Sequence, residues 1–141
     1  MITMKRIILL MLLLVGVYSF CNAQTTEKEQ IEATIQLYFE GWLTGDTAKV
    51  GKVMHSTCKL KTYNEGVFKE TSREDYLSKF KPHAKQDGFG GTILAIDITA
   101  HIASAKCVIE TPKAVFTDYF NLIKINNFWY IVDKISVKIS K

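Results

Sequence analysis

Residues 115–125 read VFTDYFNLIKI and residues 128–139 read FWYIVDKISVKI, with Asn126 and Asn127 between the two segments. Both segments are rich in aromatic and β-branched residues, which favour strands. Asparagine tolerates the left-handed backbone conformation that a two-residue hairpin turn requires. The stretch therefore predicts two long antiparallel strands joined by a tight turn.

Further strands are predicted before this hairpin. Residues 92–100 and 103–110 have strand composition. Residues 60–63 and 67–69 alternate around a turn that contains Gly66, which suits positive φ. The second half of the chain is therefore expected to form one mainly antiparallel sheet.

Two helical patterns precede the first of these strands, and a third lies between residues 67–69 and residues 92–100. The apolar side chains of residues 27–43 recur at the helical period. Asp46 is placed to cap a second helix over residues 47–54, and a third is expected from residue 71 or 72 to residue 80, before Pro82. Three helices with long antiparallel strands predict an α+β domain whose helices lie on one face of the sheet.

Residues 1–23 have the features of a secretory signal peptide. A positively charged start precedes an apolar run over residues 7–17, which is too short to span a bilayer, and residues 21–23 suit cleavage. We therefore expect an exported domain over residues 24–141 that is periplasmic or secreted, without stable membrane insertion after cleavage. Lipid attachment at Cys21 is the alternative.

Charge and composition exclude several kinds of partner. The formal net charge is +4, and loss of Lys5 and Arg6 with the signal peptide leaves +2. The basic residues form no stripe, so nucleic acid is not an expected partner. The three histidines lack metal-ligand spacing, so neither a metal nor a cofactor is expected. Whether Cys58 and Cys107 form a disulfide stays open.

The order of elements and two local strings resemble the nuclear-transport-factor-like superfamily. One string is IQLYFEGWLTGD at residues 35–46, and the other is FTDYFNLIKINNFWYIV at residues 116–132. Within that superfamily the chain is most similar to the exported group named putative lumazine-binding proteins. The resemblance implies a strongly curved sheet that forms a cone around the long first helix and leaves a pocket at its open end.

Regular antiparallel pairing from the tight turn predicts which side chains face the helices. Asp118 and Asp133 then share the inner face with Phe120 and Trp129. A carboxylate in an apolar hollow is costly unless it is partnered or protonated. We therefore expect either a neutral Asp118 or an ion pair between Asp118 and a lysine at the sheet edge.

The opposite face of the same hairpin mixes polar and apolar side chains. It is predicted to present Tyr119, Ile123, Val132 and Lys134. Such a surface suits solvent or contact with a second copy of the chain. A homodimer is therefore expected.

Ketosteroid isomerase belongs to the resembled superfamily, and its catalytic residues can be compared by position. Its oxyanion-hole tyrosine matches Tyr38, and its protonated oxyanion-hole aspartate matches Asp118. Its general base falls at Thr62, which takes up no proton at neutral pH. The sequence offers His55 and Asp133 as replacement bases.

Three functions remain open at this point. The first is binding of a small apolar or aromatic molecule in the pocket. The second is an isomerase, dehydratase or cyclase reaction in which Tyr38 and Asp118 stabilise an enolate oxygen. The third is a non-catalytic dimerisation module. The expected pocket residues are Tyr38, Trp42, His55, Phe68, Tyr76, Phe80, Asp118, Phe120, Trp129 and Asp133.

Overall fold

The computed structural model describes residues 26–141. The expected signal peptide and its cleavage point lie outside the described residues. The first helix, α1, covers residues 26–44, as its apolar periodicity predicts. No helix of the described part of the chain is long and apolar enough to cross a membrane.

Two short helices follow α1. Gly45, with φ of 65°, ends α1. The Asp46 carboxylate then caps α2 (Thr47–Val53) by accepting hydrogen bonds from the backbone N–H groups of Ala48 and Lys49. The Ser72 hydroxyl caps α3 (Arg73–Leu77). The predicted third helix extended to residue 80, so the structure ends it one turn earlier.

Six strands form a single mixed sheet. Their order is β2-β1-β6-β5-β4-β3, in which β1 and β6 are parallel and all other neighbours are antiparallel. The finding confirms the α+β class. The strands are β1 (Met54–Asn64), β2 (Val67–Ser72), β3 (Gly90–Thr99), β4 (Ile102–Glu110), β5 (Ala114–Ile125) and β6 (Phe128–Ser140).

The tight turn between β5 and β6 is confirmed. Asn126 and Asn127 have φ of 49° and 63°, and Ile125 lies opposite Phe128. Two long strands are thereby held in the register that the sequence predicts beside the turn.

That register does not continue along the whole hairpin. Leu122 pairs with Ile131, but its neighbour Asn121 pairs with Asp133, so Val132 is an extra residue in β6. Such a bulge reverses the facing of every later side chain in the strand. The prediction that Asp133 shares the inner face with Asp118 is therefore wrong.

Beyond the bulge, the side chains of β6 face the side of the sheet opposite to the one predicted. Lys134 is 4% exposed and Ser136 is 8% exposed, and both lie on the inner face with Asp118. Ile135 is instead 50% exposed on the outer face. The prediction that Lys134 faces outward is therefore also wrong.

The core lies between α1 and the inner face of the sheet. Ile35 and Phe39 of α1 pack with Phe120 and Ile131 of the strands, and all four are nearly inaccessible to solvent. The Tyr38 ring meets the Phe120 ring edge-on, with 4.9 Å between the centroids. This packing fixes α1 against β5 and β6, the strands that carry the polar residues described next.

Candidate functional site

A buried lysine is the centre of a polar cluster on the inner face. Lys134 Nζ donates a hydrogen bond to Tyr38 Oη at 2.8 Å and lies 3.0 Å from Asp118 Oδ2. Tyr38 Oη and Tyr76 Oη are 2.6 Å apart. Together with Ser136 these residues are called the inner polar cluster. Tyr38 and Asp118, which the sequence predicted to work together, are thus joined through Lys134.

Four elements contribute to the inner polar cluster. Tyr38 comes from α1, Tyr76 from α3, Asp118 from β5, and Lys134 with Ser136 from β6. Asp118 and Ser136 are directly opposed, and the serine hydroxyl donates to Asp118 Oδ1 at 2.5 Å. Asp118 Oδ2 has the charge of Lys134 beside it but forms no hydrogen bond among the described residues.

Burial sets the protonation of this cluster. It raises the pKa of Tyr38 well above the usual value, and the neighbouring Tyr76 and Asp118 raise it further. Burial alone would lower the pKa of Lys134, but Tyr76 and Asp118 outweigh it, so this pKa is raised. Tyr38 is therefore a neutral phenol and Lys134 an ammonium, and both are hydrogen-bond donors at neutral pH.

The ammonium is also enclosed by aromatic rings. Lys134 Nζ lies 5.2 Å from the Tyr38 ring centroid, 5.3 Å from that of Tyr76 and 5.8 Å from that of Phe120. These faces attract a cation. Asp118 is paired with a lysine, which was one of the two alternatives that the sequence left open. This lysine lies on the interior strand β6 and not at a sheet edge.

A pocket of about 420 Å³ opens beside the cluster, where α1, α3 and the loop before β3 meet. We call it the mouth pocket. Tyr76 links it to the cluster, because the Tyr76 side chain is a wall of the pocket and its hydroxyl contacts Tyr38. The lining residues are Trp42, Gly45, Tyr76, Lys79, Phe80, Lys81, His83 and Phe89.

Six of the predicted pocket residues lie in the wall of the mouth pocket or directly behind it. Trp42, Tyr76 and Phe80 line the mouth pocket. Tyr38, Asp118 and Phe120 are fully buried behind that pocket and do not line it. Trp129 lies at the beginning of β6, where its Nε1 donates to Glu27 Oε2 at 2.8 Å, and it is a core residue tied to α1.

Three other predicted pocket residues, His55, Phe68 and Asp133, face away from the cluster. The expectation for His55 fails because β1 starts at Met54, so the His55 ring packs against Tyr130, with 5.8 Å between the centroids. Phe68 is 64% exposed on the edge strand β2.

Asp133 is turned outward by the bulge and forms an ion pair with Lys61. His55 and Asp133 were the two replacement bases that the sequence offered. Neither belongs to the inner polar cluster, and Thr62, at the position of the general base, is a half-buried residue of β1.

Sequence reasoning missed Lys134 and Ser136 of the inner polar cluster, and several lining residues of the mouth pocket. The missed lining residues are Gly45, Lys79, Lys81, His83 and Phe89. Regular alternation placed Lys134 outside, and no sequence signal marks the bulge at Val132 that turns it inward. Phe89 lies in a segment for which no helix or strand was predicted. A stronger signal was available for Asp118, since a buried carboxylate demands a cation nearby.

The described residues form no metal-binding group, and their two cysteines are not bonded to each other. Within residues 26–141, no three His, Cys, Asp or Glu side chains are grouped to hold a metal ion. Cys58 and Cys107 are buried free thiols, and burial raises the pKa of each to about 12. Cys58 and Cys107 therefore do not form a disulfide with each other in this structure.

A family model described as putative lumazine-binding matches residues 26–135. The chain belongs to this family. Its fold is that of the NTF2-like superfamily: an NTF2-like protein of unknown function from Shewanella baltica OS155 superposes with a TM-score of 0.75 at 22% identity, over 83% of this chain and 97% of that one.

Two further similarities involve proteins with named activities. Aldolase FrzH of Cladobotryum sp is 25% identical over 114 residues, covering 79% of this chain and 90% of the aldolase. A ketosteroid isomerase-like protein from Erwinia carotovora atroseptica SCRI1043 has a TM-score of 0.60 at 18% identity, over 79% of this chain and 95% of that one. The structural likenesses show the fold alone.

Proposed function

We propose that this member of the putative lumazine-binding family binds a small planar aromatic molecule in the mouth pocket. The observation that carries the proposal is the convergence of aromatic side chains from three separate segments on one hollow of about 420 Å³. Trp42 comes from α1, Tyr76 and Phe80 from α3 and the turn after it, and Phe89 from the loop before β3. Apolar walls with a few placed polar groups are typical of small-molecule sites.

The inner polar cluster supports this proposal by fixing one wall. Tyr76 is held through its hydroxyl, which lies 2.6 Å from Tyr38 Oη and 3.5 Å from Lys134 Nζ. A wall that is already ordered loses little side-chain entropy when a ligand packs against it. The cone-shaped enclosure implied by the family resemblance belongs to the same proposal.

Binding can be tested with lumazine, the planar heterocycle after which the family is named, and with the neutral aromatic probe N-phenyl-1-naphthylamine. Titration should raise the melting temperature, because a ligand of the folded state stabilises it. Phe80→Ala should weaken binding about five- to tenfold, since an aromatic contact contributes roughly 1 kcal/mol or more.

Phe128→Ala is the matched control for Phe80→Ala. Phe128 is also partly buried, but it lies at the β5–β6 turn and does not line the mouth pocket. Equal losses in the two variants, or no binding of either probe, would contradict the proposal.

A second candidate function is catalysis on a carbonyl compound through an enolate. Lys134 and Tyr38 are charged and neutral donors behind the pocket wall, and donors of this kind stabilise a developing oxyanion. The sequence relative named as an aldolase favours the same chemistry in that protein. The missing general base at Thr62 is the reason for placing binding first.

The catalytic candidate has a direct test. Exchange of the α-protons of 1-indanone for deuterium is followed by NMR with the full chain in heavy water. Exchange above the buffer rate that is lost in both Tyr76→Phe and Lys134→Met would support it. Exchange at the buffer rate would remove it.

Export and dimerisation stay proposals of the same kind. The amino-terminal features of residues 1–23 support cleavage and export, which N-terminal sequencing of the mature protein would test. The exposed apolar side chains of β5 and β6 on the outer face support a homodimer.

A further inference from the structure

We propose that the mouth pocket is one half of a longer site, and that its other half holds the acidic group of an elongated aromatic anion. The inference rests on the proposed function and adds the class of ligand to it. The second half is a hollow of about 340 Å³ that we call the lysine pocket. Its lining residues are Trp42, Gln86, Phe89, Thr111, Pro112, Lys113, Ala114, Phe116 and Lys138.

The two pockets share a wall. The side chains of Trp42 and Phe89 line both of them. Trp42 packs edge-on against Phe116, which also lines the lysine pocket, with 5.4 Å between the ring centroids. Because the same aromatic pair borders both hollows, the two pockets are neighbours, and we expect a flat molecule that packs against this pair in the mouth pocket to extend toward the lysine pocket.

Glycines flank Phe89 in the loop before β3. Gly88 has φ of 76°, a conformation that favours glycine, and a Cβ there would lie 3.2 Å from Pro112 of the lysine-pocket lining, whereas a Cβ at Gly90 would meet nothing within 4 Å beyond its chain neighbours. Phe89 itself is only partly buried. Phe89 of the shared wall is therefore carried by a glycine-containing loop that packs close to Pro112 of the lysine pocket.

The charged side chains that line the mouth pocket and the lysine pocket are all basic. Four lysines border them, Lys79 and Lys81 at the mouth pocket and Lys113 and Lys138 at the lysine pocket, and neither lining contains a carboxylate. The ion pairs between described residues use other basic side chains. Uncompensated positive charge around an apolar hollow favours an anion.

The lysine pocket also orients one of its cations. Lys138 Nζ lies 5.9 Å from the centroid of the Phe116 ring, which belongs to the same lining. An ammonium beside an aromatic wall matches a ligand whose carboxylate or sulfonate extends from a ring. The geometry therefore selects aromatic acids over neutral aromatic compounds of the same shape.

Two fluorescent probes of nearly equal shape test this selection. 1-Anilinonaphthalene-8-sulfonate carries a sulfonate, and N-phenyl-1-naphthylamine is the same ring system without it. We expect the wild-type chain to bind the sulfonate more tightly, and added salt to weaken only that probe. Lys113→Gln/Lys138→Gln should weaken the sulfonate about three- to tenfold and change the neutral probe less than twofold.

A matched pair of lysines controls for general charge and for binding elsewhere. Lys69 and Lys106 are exposed on β2 and β4 and line neither pocket. Lys69→Gln/Lys106→Gln should leave both probes unchanged. Equal affinity of the two probes, or a loss in this control pair as large as in Lys113→Gln/Lys138→Gln, would overturn the inference.

The same experiment separates the two proposals. If Phe80→Ala weakens both probes but the Lys113 and Lys138 changes weaken neither, the mouth pocket stands and the inference fails. If the lysine changes weaken the sulfonate but Phe80→Ala has no effect, the anion site stands and the proposed function fails.

Discussion

Lys134 Nζ lies 3.0 Å from Asp118 Oδ2 in the interior of the protein, where the two side chains are 4% and 0% exposed. A charge pair at this depth loses its hydration, and its members depend on each other for compensation. Tyr38 accepts a hydrogen bond from Lys134, and Ser136 donates one to Asp118, so each charged group has a second polar partner. The pair therefore couples the stability of the fold to the back wall of the candidate site.

Removing one member of this pair should be costly. Lys134→Met leaves the Asp118 carboxylate buried without a cation, so we expect a loss of about 3–5 kcal/mol in the free energy of unfolding. Urea denaturation followed by circular dichroism measures it. The double variant Asp118→Leu/Lys134→Met should recover most of the loss.

The control for that experiment is Lys61→Met, which breaks the more exposed ion pair between Lys61 and Asp133. We expect less than about 1 kcal/mol there. Similar losses at Lys61 and Lys134 would show that burial does not govern the energetics of the Asp118 pair.

Tyr38 should make the protein sensitive to alkali. Burial raises the pKa of Tyr38 in the folded state, so above pH of about 10 the unfolded chain loses this proton first and folding stability falls. Tyr38→Phe should reduce the slope of stability against pH there by up to about 1.4 kcal/mol per unit. An unchanged slope in Tyr38→Phe would contradict the burial of this hydroxyl.

Glu27 should contribute to stability at the acidic end. The hydrogen bond from Lys124 lowers the pKa of Glu27 below 4.5, against the effect of partial burial, and the Trp129 indole adds to it. Its contribution is present above pH 4.5 and is lost as the pH falls through the folded-state value. Glu27→Gln should therefore flatten acid unfolding, and an unchanged acid profile in this variant would contradict the prediction.

The two core thiols should be unreactive in the folded protein. Cys58 is 1% exposed and Cys107 is 0% exposed, and burial raises the pKa of each to about 12. Iodoacetamide at pH 8 should therefore modify neither residue until urea is added, as mass spectrometry would show. Rapid labelling of the native protein at either position would contradict the structure.

The outer face of the sheet should mediate self-association. Ile135, Val137 and Ile139 of β6 are 50%, 42% and 61% exposed, and Tyr119 lies opposite Ile135 on the same face. Ile135→Lys should shift a dimer to monomer in sedimentation velocity. Val67→Lys, at a position on β2 that is 65% exposed, is the control. A wild-type monomer at high concentration would reject the proposal.

Local signals in the sequence predicted most of the fold. The Asn126–Asn127 turn was predictable because few residues adopt φ near 50–60° without strain, and Asp46 because its carboxylate caps free N–H groups. Strand alternation then placed Asp118 on the inner face correctly. These features depend on neighbours a few residues away.

The candidate site depends on longer-range geometry, and there the sequence was insufficient. Val132 could be read as an ordinary strand residue, yet its bulge decides that Lys134 rather than Asp133 meets Asp118. No local preference distinguishes the two registers, because the gain comes from pairing a buried carboxylate with an ammonium. His55 was misplaced for a similar reason, since Met54, the last residue of the predicted helix, pairs with Ile131 and begins a strand.

The position of β6 between β1 and β5 has a consequence for how the molecule assembles. The middle of the sheet is supplied by residues 128–140, and its parallel partner β1 lies more than sixty residues earlier. Contacts so distant along the chain form slowly, because a long loop must close before they are gained. A polypeptide still being synthesised therefore has two halves of a sheet with nothing to join them, and only the arrival of its last described strand turns them into one folded body.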